Sequence, residues 1–279
     1  MRPATDKLNY KILPPKRFAS FNFSEIWRYR ELFYIFVWRD IKVRYKQTAF
    51  GVLWAILQPF LSMVVFTFFF GRLAKMPSDG IPYPIFVYSG LLFWNYFASS
   101  VTSSSDSLIS NEGIIKKVYF PRLILPLSTC FTPIIDFFIA LLVLFGLMVF
   151  YKFTPPFLGI IFIPVLIFVS LLGAAGLGIF LTSINVRYRD VRYILPFFIQ
   201  ILLFLTPVIY PISIVPAKLQ WVIFINPMAG VISLERSLLL RTSPADWRLL
   251  GISLVSGLIL LVIGVFYFRK TEKSFADIL

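Results

Sequence analysis

Residues 47–71 read QTAFGVLWAILQPFLSMVVFTFFFG, and no position among them carries a charge. A helix of about 20 apolar residues crosses the hydrocarbon core of a bilayer, so this stretch reads as a membrane span. The chain has further charge-free runs at Gly80–Ser105, Phe153–Val186, Tyr193–Ala217 and Leu249–Phe268. A sixth, Leu123–Tyr151, is interrupted only by Asp136. The fold expected is an all-α integral membrane protein with six transmembrane helices, at Gly51–Phe70, Tyr83–Ser104, Leu123–Phe150, Phe157–Asn185, Ile194–Tyr210 and Leu249–Phe268.

Composition agrees. Of 279 residues, 58% are hydrophobic, against about 45–50% in soluble domains. The six spans leave no room for a large soluble domain. The chain has no histidine and one cysteine, Cys130. That excludes His-based acid–base chemistry, an intramolecular disulfide and a Cys/His zinc cluster. None of its 14 glycines is followed by lysine, so it has no Walker A phosphate loop. Any ATP that drives it binds to another polypeptide. The basic start, without a short apolar core before the first span, is read as an uncleaved anchor rather than a signal peptide.

Charge sets the orientation. With these spans, 20 of the 27 Lys and Arg residues fall on the side holding both termini. The positive-inside rule makes that side cytoplasmic. The net charge of +14 is explained by this topology and by anionic lipid headgroups. The basic residues are spread over several loops rather than one face, so nucleic acid is not an expected partner.

Four regions follow. Residues 1–22 are a polar cytoplasmic lead, 23–46 an amphipathic interface helix, 47–268 the six-span domain and 269–279 a cytoplasmic tail. The interface helix places apolar residues at 23, 26, 27, 33, 34, 37 and 41 on a rough helical stripe, which Leu32, Ile35 and Phe36 interrupt. Within the membrane domain, 106–122 is a short amphipathic segment lying across the cytoplasmic face. Residues 211–246 are apolar but broken by Pro211, Pro216, Pro227 and Pro244. The longest charge-free window there, Leu219–Leu234, has 16 residues, too few for a comfortable span. It reads as two short helices, about Ala217–Phe224 and Met228–Leu240, joined at Asn226-Pro227. They would dip into the outer leaflet and return, with broken backbone buried in protein or lining a wet cavity. Ser170, Ala174 and Gly178 form a small-residue stripe suited to close helix packing.

The segments RDIKVRYKQTAFGVLWAILQPF (Arg39–Phe60), FPRLILPLS (Phe120–Ser128), NVRYRDVRY (Asn185–Tyr193), TPVIYP (Thr206–Pro211) and the Asn226-Pro227-Met228 turn resemble the membrane subunit of type-2 ABC exporters. Within that group the likeness is nearest to permeases exporting O-antigen and other lipid-linked polysaccharide. The resemblance covers nearly the whole chain in order. It implies the same interface helix, six spans, a coupling helix after the second span and re-entrant helices before the last. It also implies a homodimer with two copies of an ABC ATPase subunit, ATP and Mg on that partner and no cofactor on this chain. The cargo implied is an undecaprenyl-pyrophosphate-linked glycan, and the location is the cytoplasmic (inner) membrane.

On that reading, Arg39, Lys42, Arg44 and Lys46, just before the first span, are candidates to receive the pyrophosphate. The other reading of the same residues is topology-setting charge. Trp54 with Gln58, and Phe197, Gln200 and Phe204, share helical faces. They would hold sugar rings and hydroxyls along a path, or else face lipid and core. Asn111, Glu112, Gly113, Ile114, Ile115, Lys116 and Lys117 are the expected ATPase-coupling segment, with Ile114 and Ile115 as its apolar face. Asp136, the only acid within a span, is read as a structural hydrogen-bonding group, with Thr132 as a candidate partner, or as a proton relay; no Lys or Arg lies in the other spans to pair with it. Teichoic acid or capsule export is the alternative within the family. An ion-coupled secondary carrier is the alternative outside it, though neither internal repeats nor paired intramembrane charges are evident. A membrane glycosyltransferase would need a carboxylate cluster that the chain lacks.

Overall fold

A computed structural model describes residues 23–46, 51–188 and 190–275. The lead at 1–22, the junction 47–50 and the last four residues of the tail lie outside the described residues. Among the described residues, all regular structure is helical and there is no strand. Two helices, α1 (Phe23–Arg28) and α2 (Arg30–Lys46), precede the membrane domain. Next come α3 (Gly51–Phe66), widening into a π-helical turn at Thr67–Leu73, α4 (Tyr83–Ser110), α5 (Glu112–Ile115), α6 (Ile124–Thr129), α7 (Pro133–Phe150) and α8 (Phe157–Arg187). The chain closes with α9 (Val191–Leu205), α10 (Ala217–Phe224), α11 (Pro227–Glu235), a π-helical turn to Leu240, and α12 (Trp247–Thr271).

Among the described residues, four stretches are long and apolar enough to cross a membrane: Val52–Leu73, Ile124–Phe150, Phe157–Arg187 and Trp247–Thr271. The pair Ala217–Phe224 and Pro227–Leu240 makes a fifth if taken together, bent by 111° at its break. Helix α4 has 28 residues, but its second half, SSVTSSSDSLIS, is polar. Its position explains this. It is the axis of the bundle, packed on α3, α6, α7, α8, α9 and α11, so much of its surface meets protein. Phe86, Tyr88, Phe93 and Phe97 on α4 are all buried. Helix α9, with 15 residues, is short for a span on its own.

Close packing of α8 on its neighbours depends on small residues. A Cβ on Gly176 would overlap the backbone of Leu260–Leu261 in α12, and one on Gly264 would overlap Gly176 itself. Gly178 of the sequence-derived stripe sits against Ser104 of α4, and Ser170 and Ala174 are fully buried beside it. Such approach allows dispersion contact and interhelical hydrogen bonds to replace the hydrophobic drive that lipid does not supply. Thr182 donates to the Ser104 carbonyl at 2.7 Å, and Asn185 Nδ2 donates to the Ser105 carbonyl and to Asp106 Oδ1, both at 3.0 Å.

The N-terminal helix docks on the bundle by a face that overlaps the expected stripe only at Ile26 and Phe33. Phe36, which interrupts the sequence stripe, is buried against Phe120 with ring centroids 5.6 Å apart. Phe33 meets Phe131 edge-on at 5.3 Å. Tyr29, Leu32, Phe33 and Phe36, spaced i, i+3, i+4 and i+7, pack on a smaller core formed by Leu108, Leu123, Ile124 and Phe268. Trp27, Tyr34, Ile35 and Trp38 remain exposed. The helix has apolar residues on more than one face because it meets the bundle on one side and leaves aromatic rings outward on another, so the single stripe held two anchors, Ile26 and Phe33, and missed Leu32 and Phe36.

The break between α10 and α11 is built from Asn226. Its Oδ1 accepts the Met228 amide proton at 3.0 Å, capping α11, and its Nδ2 donates to Thr206 Oγ1 at 2.8 Å. Pro227 in the first turn lacks the amide proton that would go unpaired there.

Candidate functional site

The polar half of α4 faces a cavity of about 740 Å³ between α3, α4 and α7, floored by the end of α2. Asn95, Ser99, Thr102 and Asp106 fall on one face of α4 at i, i+4, i+7 and i+11, and each is only half-buried. Asn95, Ser99 and Thr102 line the cavity, together with Trp54 and Gln58 from α3. Thus a ribbon of hydroxyl and amide groups runs opposite an aromatic ring and a carboxamide. This ribbon was missed from sequence. Its helical spacing was the available signal, hidden among nine polar positions in Ser99–Ser110.

Arg44 enters from α2 and pairs with Asp136 of α7 at 2.7 Å; it also reaches Ser99 Oγ at 3.5 Å. The Tyr45 hydroxyl donates to the other Asp136 oxygen. Burial and then the adjacent carboxylate push the Tyr45 phenol above its ordinary pKa, so it stays a donor at neutral pH. Asp136 is therefore an ion-pair partner of α2. The expected bond to Thr132 is not made: its hydroxyl is buried without a hydrogen-bond partner. The cation that pairs with Asp136 comes not from another span but from the helix before the first span.

The rest of the basic group is spread along α2. Arg39 pairs with Asp40 at 2.8 Å and lies 5.0 Å from the Phe36 ring centroid. Lys42 lies 5.0 Å over Trp38. Lys46 is exposed. Arg39 lines a second, more open hollow of about 860 Å³, shared with Asp106, Asn111, Gly113, Ile114 and Lys117. Thr102 and Ser103 line both hollows, so the α4 ribbon joins them.

In the expected coupling segment, Asn111 ends α4 by donating to the Ser107 carbonyl at 2.7 Å, and Lys116 pairs with Glu112. Ile114 and Ile115 are half-buried, packed on the smaller core. The apolar residues presented outward are the next ones, Val118 and Tyr119, the latter 84% exposed. The apolar face expected at Ile114 and Ile115 is thus displaced by four residues, because the isoleucines anchor the short helix to its own bundle.

Phe197, Gln200 and Phe204 all lie exposed on α9 and line none of these hollows. Within one chain, the structure does not bring them together with Trp54 and Gln58. Sequence reasoning also passed over Arg236. It is 3% exposed and donates to the carbonyls of Pro207 (2.6 Å), Tyr210 (3.3 Å), Val208 (2.5 Å) and Phe86 (3.1 Å). It clasps the TPVIYP segment to α4 and α11. Buried Glu235 beside it extends the polar inventory beyond Asp136. Among the described residues, no group of His, Cys, Asp and Glu could hold a metal ion.

A family model described as ABC-2 type transporter matches residues 31–240. The chain is 31% identical over 241 residues to the O-antigen export system permease protein RfbA of Klebsiella pneumoniae, covering 86% of this chain and 92% of that one. It is 28% identical over 257 residues to the protein of the same name from Myxococcus xanthus, with 91% and 97% covered. Identity to the polysialic acid transport protein KpsM of Escherichia coli is 23% over 243 residues, with 85% and 92% covered.

Proposed function

Because this chain belongs to the ABC-2 type transporter family, we propose that it is the permease subunit of an ATP-driven exporter of lipid-pyrophosphate-linked polysaccharide, O-antigen-like in kind. The observation that carries this reading is the cavity where Arg44 meets Trp54, Gln58 and the α4 hydroxyl ribbon. A cation suits the phosphate, an aromatic face suits the apolar face of a sugar ring, and hydroxyls and amides exchange hydrogen bonds with sugar hydroxyls. Relatives named for O-antigen export and polysialic acid transport support the class of cargo. The higher identity to the former favours an O-antigen-like polymer over a capsular one.

In this reading, α3, α4, α6 with α7, α8, α9 and α12 are the six spans, and α10 and α11 re-enter the outer leaflet around the 111° break. Both termini are cytoplasmic and the membrane is the inner one, in keeping with the Lys and Arg asymmetry. The chain works as a homodimer with two ATPase subunits that bind ATP and Mg. Val118 and Tyr119 form the apolar part of the docking surface, beside Asn111–Lys117. Exposed apolar faces on α3 and α9 suit contact with a second copy. That contact would set Phe197, Gln200 and Phe204 on the same pathway as Trp54 and Gln58.

The test is export in cells. Loss of this chain should leave lipid-linked glycan inside, and wild type should restore surface glycan. Lys42→Glu/Lys46→Glu should block export while a C-terminal reporter stays cytoplasmic; these two lysines are chosen because Arg44 is tied to Asp136. Wild-type surface glycan in that correctly oriented mutant would remove Lys42 and Lys46 from cargo handling. A flipped reporter would assign it to topology.

A further inference from the structure

We propose that Asp136 is a resident counter-anion that makes the cavity selective for a multiply charged phosphate: the cargo's pyrophosphate takes its place on Arg44, whereas the single charge of an ordinary phospholipid does not. This rests on the reading that the cavity receives the cargo's phosphate group.

The Arg44–Asp136 pair is half-open to the cavity, its side chains 38% and 21% exposed, so a ligand reaches the guanidinium without unfolding the bundle. A carboxylate and a phosphate offer that fork similar acceptor oxygens. Exchanging one monoanion for another gains little Coulomb energy, and a phosphodiester headgroup must also give up its place in the bilayer surface. A pyrophosphate brings at least one further negative charge to the same guanidinium, and the attraction grows with that charge. Displacement leaves Asp136 with the Tyr45 hydroxyl as a remaining donor, in a cavity whose other walls are polar at Ser99, Thr102 and Gln58. The released carboxylate is therefore not stranded in an apolar site. The filter matters because the site opens beside a membrane in which phospholipid greatly outnumbers any lipid-linked glycan.

The experiment measures equilibrium binding of farnesyl pyrophosphate to the exporter, this chain with its ATPase, in phosphatidylcholine nanodiscs with and without phosphatidylglycerol. Wild type should bind it with an affinity that phosphatidylglycerol barely alters. Asp136→Asn should bind about fivefold more tightly in pure phosphatidylcholine, as expected on removing a partly exposed competing charge, and lose that gain when phosphatidylglycerol is added. Asp136→Glu should behave as wild type, and Arg44→Ala should bind neither lipid. An inverted pair guards against misfolding: Arg44→Asn/Asp136→Arg should bind more tightly than Arg44→Asp/Asp136→Arg. Equal affinities for wild type and Asp136→Asn in both lipid mixtures, with binding still lost in Arg44→Ala, would overturn the filter and leave the cargo site standing. Undiminished binding by Arg44→Ala would overturn both.

Discussion

The Arg236 guanidinium lies 3.6 Å from the centre of the Phe86 ring while its Nη2 donates to the Phe86 carbonyl at 3.1 Å. One residue of α4 thus receives the cation twice, on its ring face and on its backbone. The same side chain satisfies three carbonyls of the Pro207–Tyr210 corner, where irregular backbone would otherwise be unpaired. Such a corner is tolerated in a membrane protein only when protein supplies the missing donors.

Arg236→Ala should therefore destabilise the protein by about 3 kcal/mol or more, since buried acceptors lose their donor. Arg236→Lys should not rescue it, because an ammonium cannot fork towards carbonyls in four directions. Thermal unfolding in detergent, followed by size exclusion, measures this. A lysine variant as stable as wild type would show that the clasp needs only charge.

The Asn226 bridge predicts a smaller, coupled effect. Asn226→Ala loses the cap on α11 and the bond to Thr206, costing about 1–2 kcal/mol. Thr206→Val should cost less. The double variant should lose less than the sum of the two, because both remove the shared bond, though Thr206→Val also removes the hydroxyl's bond to the Leu202 carbonyl. Strictly additive losses would mean that the two side chains act independently.

On the proposed docking surface, Tyr119→Asp and Val118→Asp should abolish co-purification with the ATPase while leaving the chain folded, as both side chains point outward. Ile114→Asp should lower stability itself, because that side chain packs on the smaller core. Retention of the ATPase by the double variant Val118→Asp/Tyr119→Asp would move the docking surface elsewhere.

The α4 ribbon predicts a transport defect without an assembly defect. Thr102→Leu/Ser103→Leu, where the two hollows meet, should reduce surface glycan to background while complex yield holds. Thr102→Ser should export normally, since it keeps the hydroxyl. Normal export by the leucine pair would exclude the ribbon from the path.

Small residues on α8 and α12 predict a folding defect. Gly176→Ala places a methyl against the Leu260–Leu261 backbone, and overpacking of this kind costs about 1–3 kcal/mol. Backbone cannot rotate away as a side chain can. Unchanged thermal stability would show that the helices separate freely.

Much of this protein is legible from sequence because the bilayer is a strict solvent. It demands long uncharged runs, and those runs mark Val52–Leu73, Ile124–Phe150, Phe157–Arg187 and Trp247–Thr271 directly. The proline positions and the Asn226-Pro227 pair likewise locate the sharp break between α10 and α11, because capping and proline chemistry act within a few residues. What only the tertiary structure decided are the pairings between distant residues. Arg44 and Asp136 lie 92 positions apart and Arg236 and Phe86 lie 150 apart, so no local pattern announces them. Periodicity also misled at α2, where Phe36 and Leu32 proved to be anchors, since a helix clamped between protein and an outer face has no single apolar side. Sequence alone determined which segments the membrane would accept. Packing decided which polar groups meet inside it, because a buried charge takes its partner from whichever helix the fold brings within hydrogen-bonding distance.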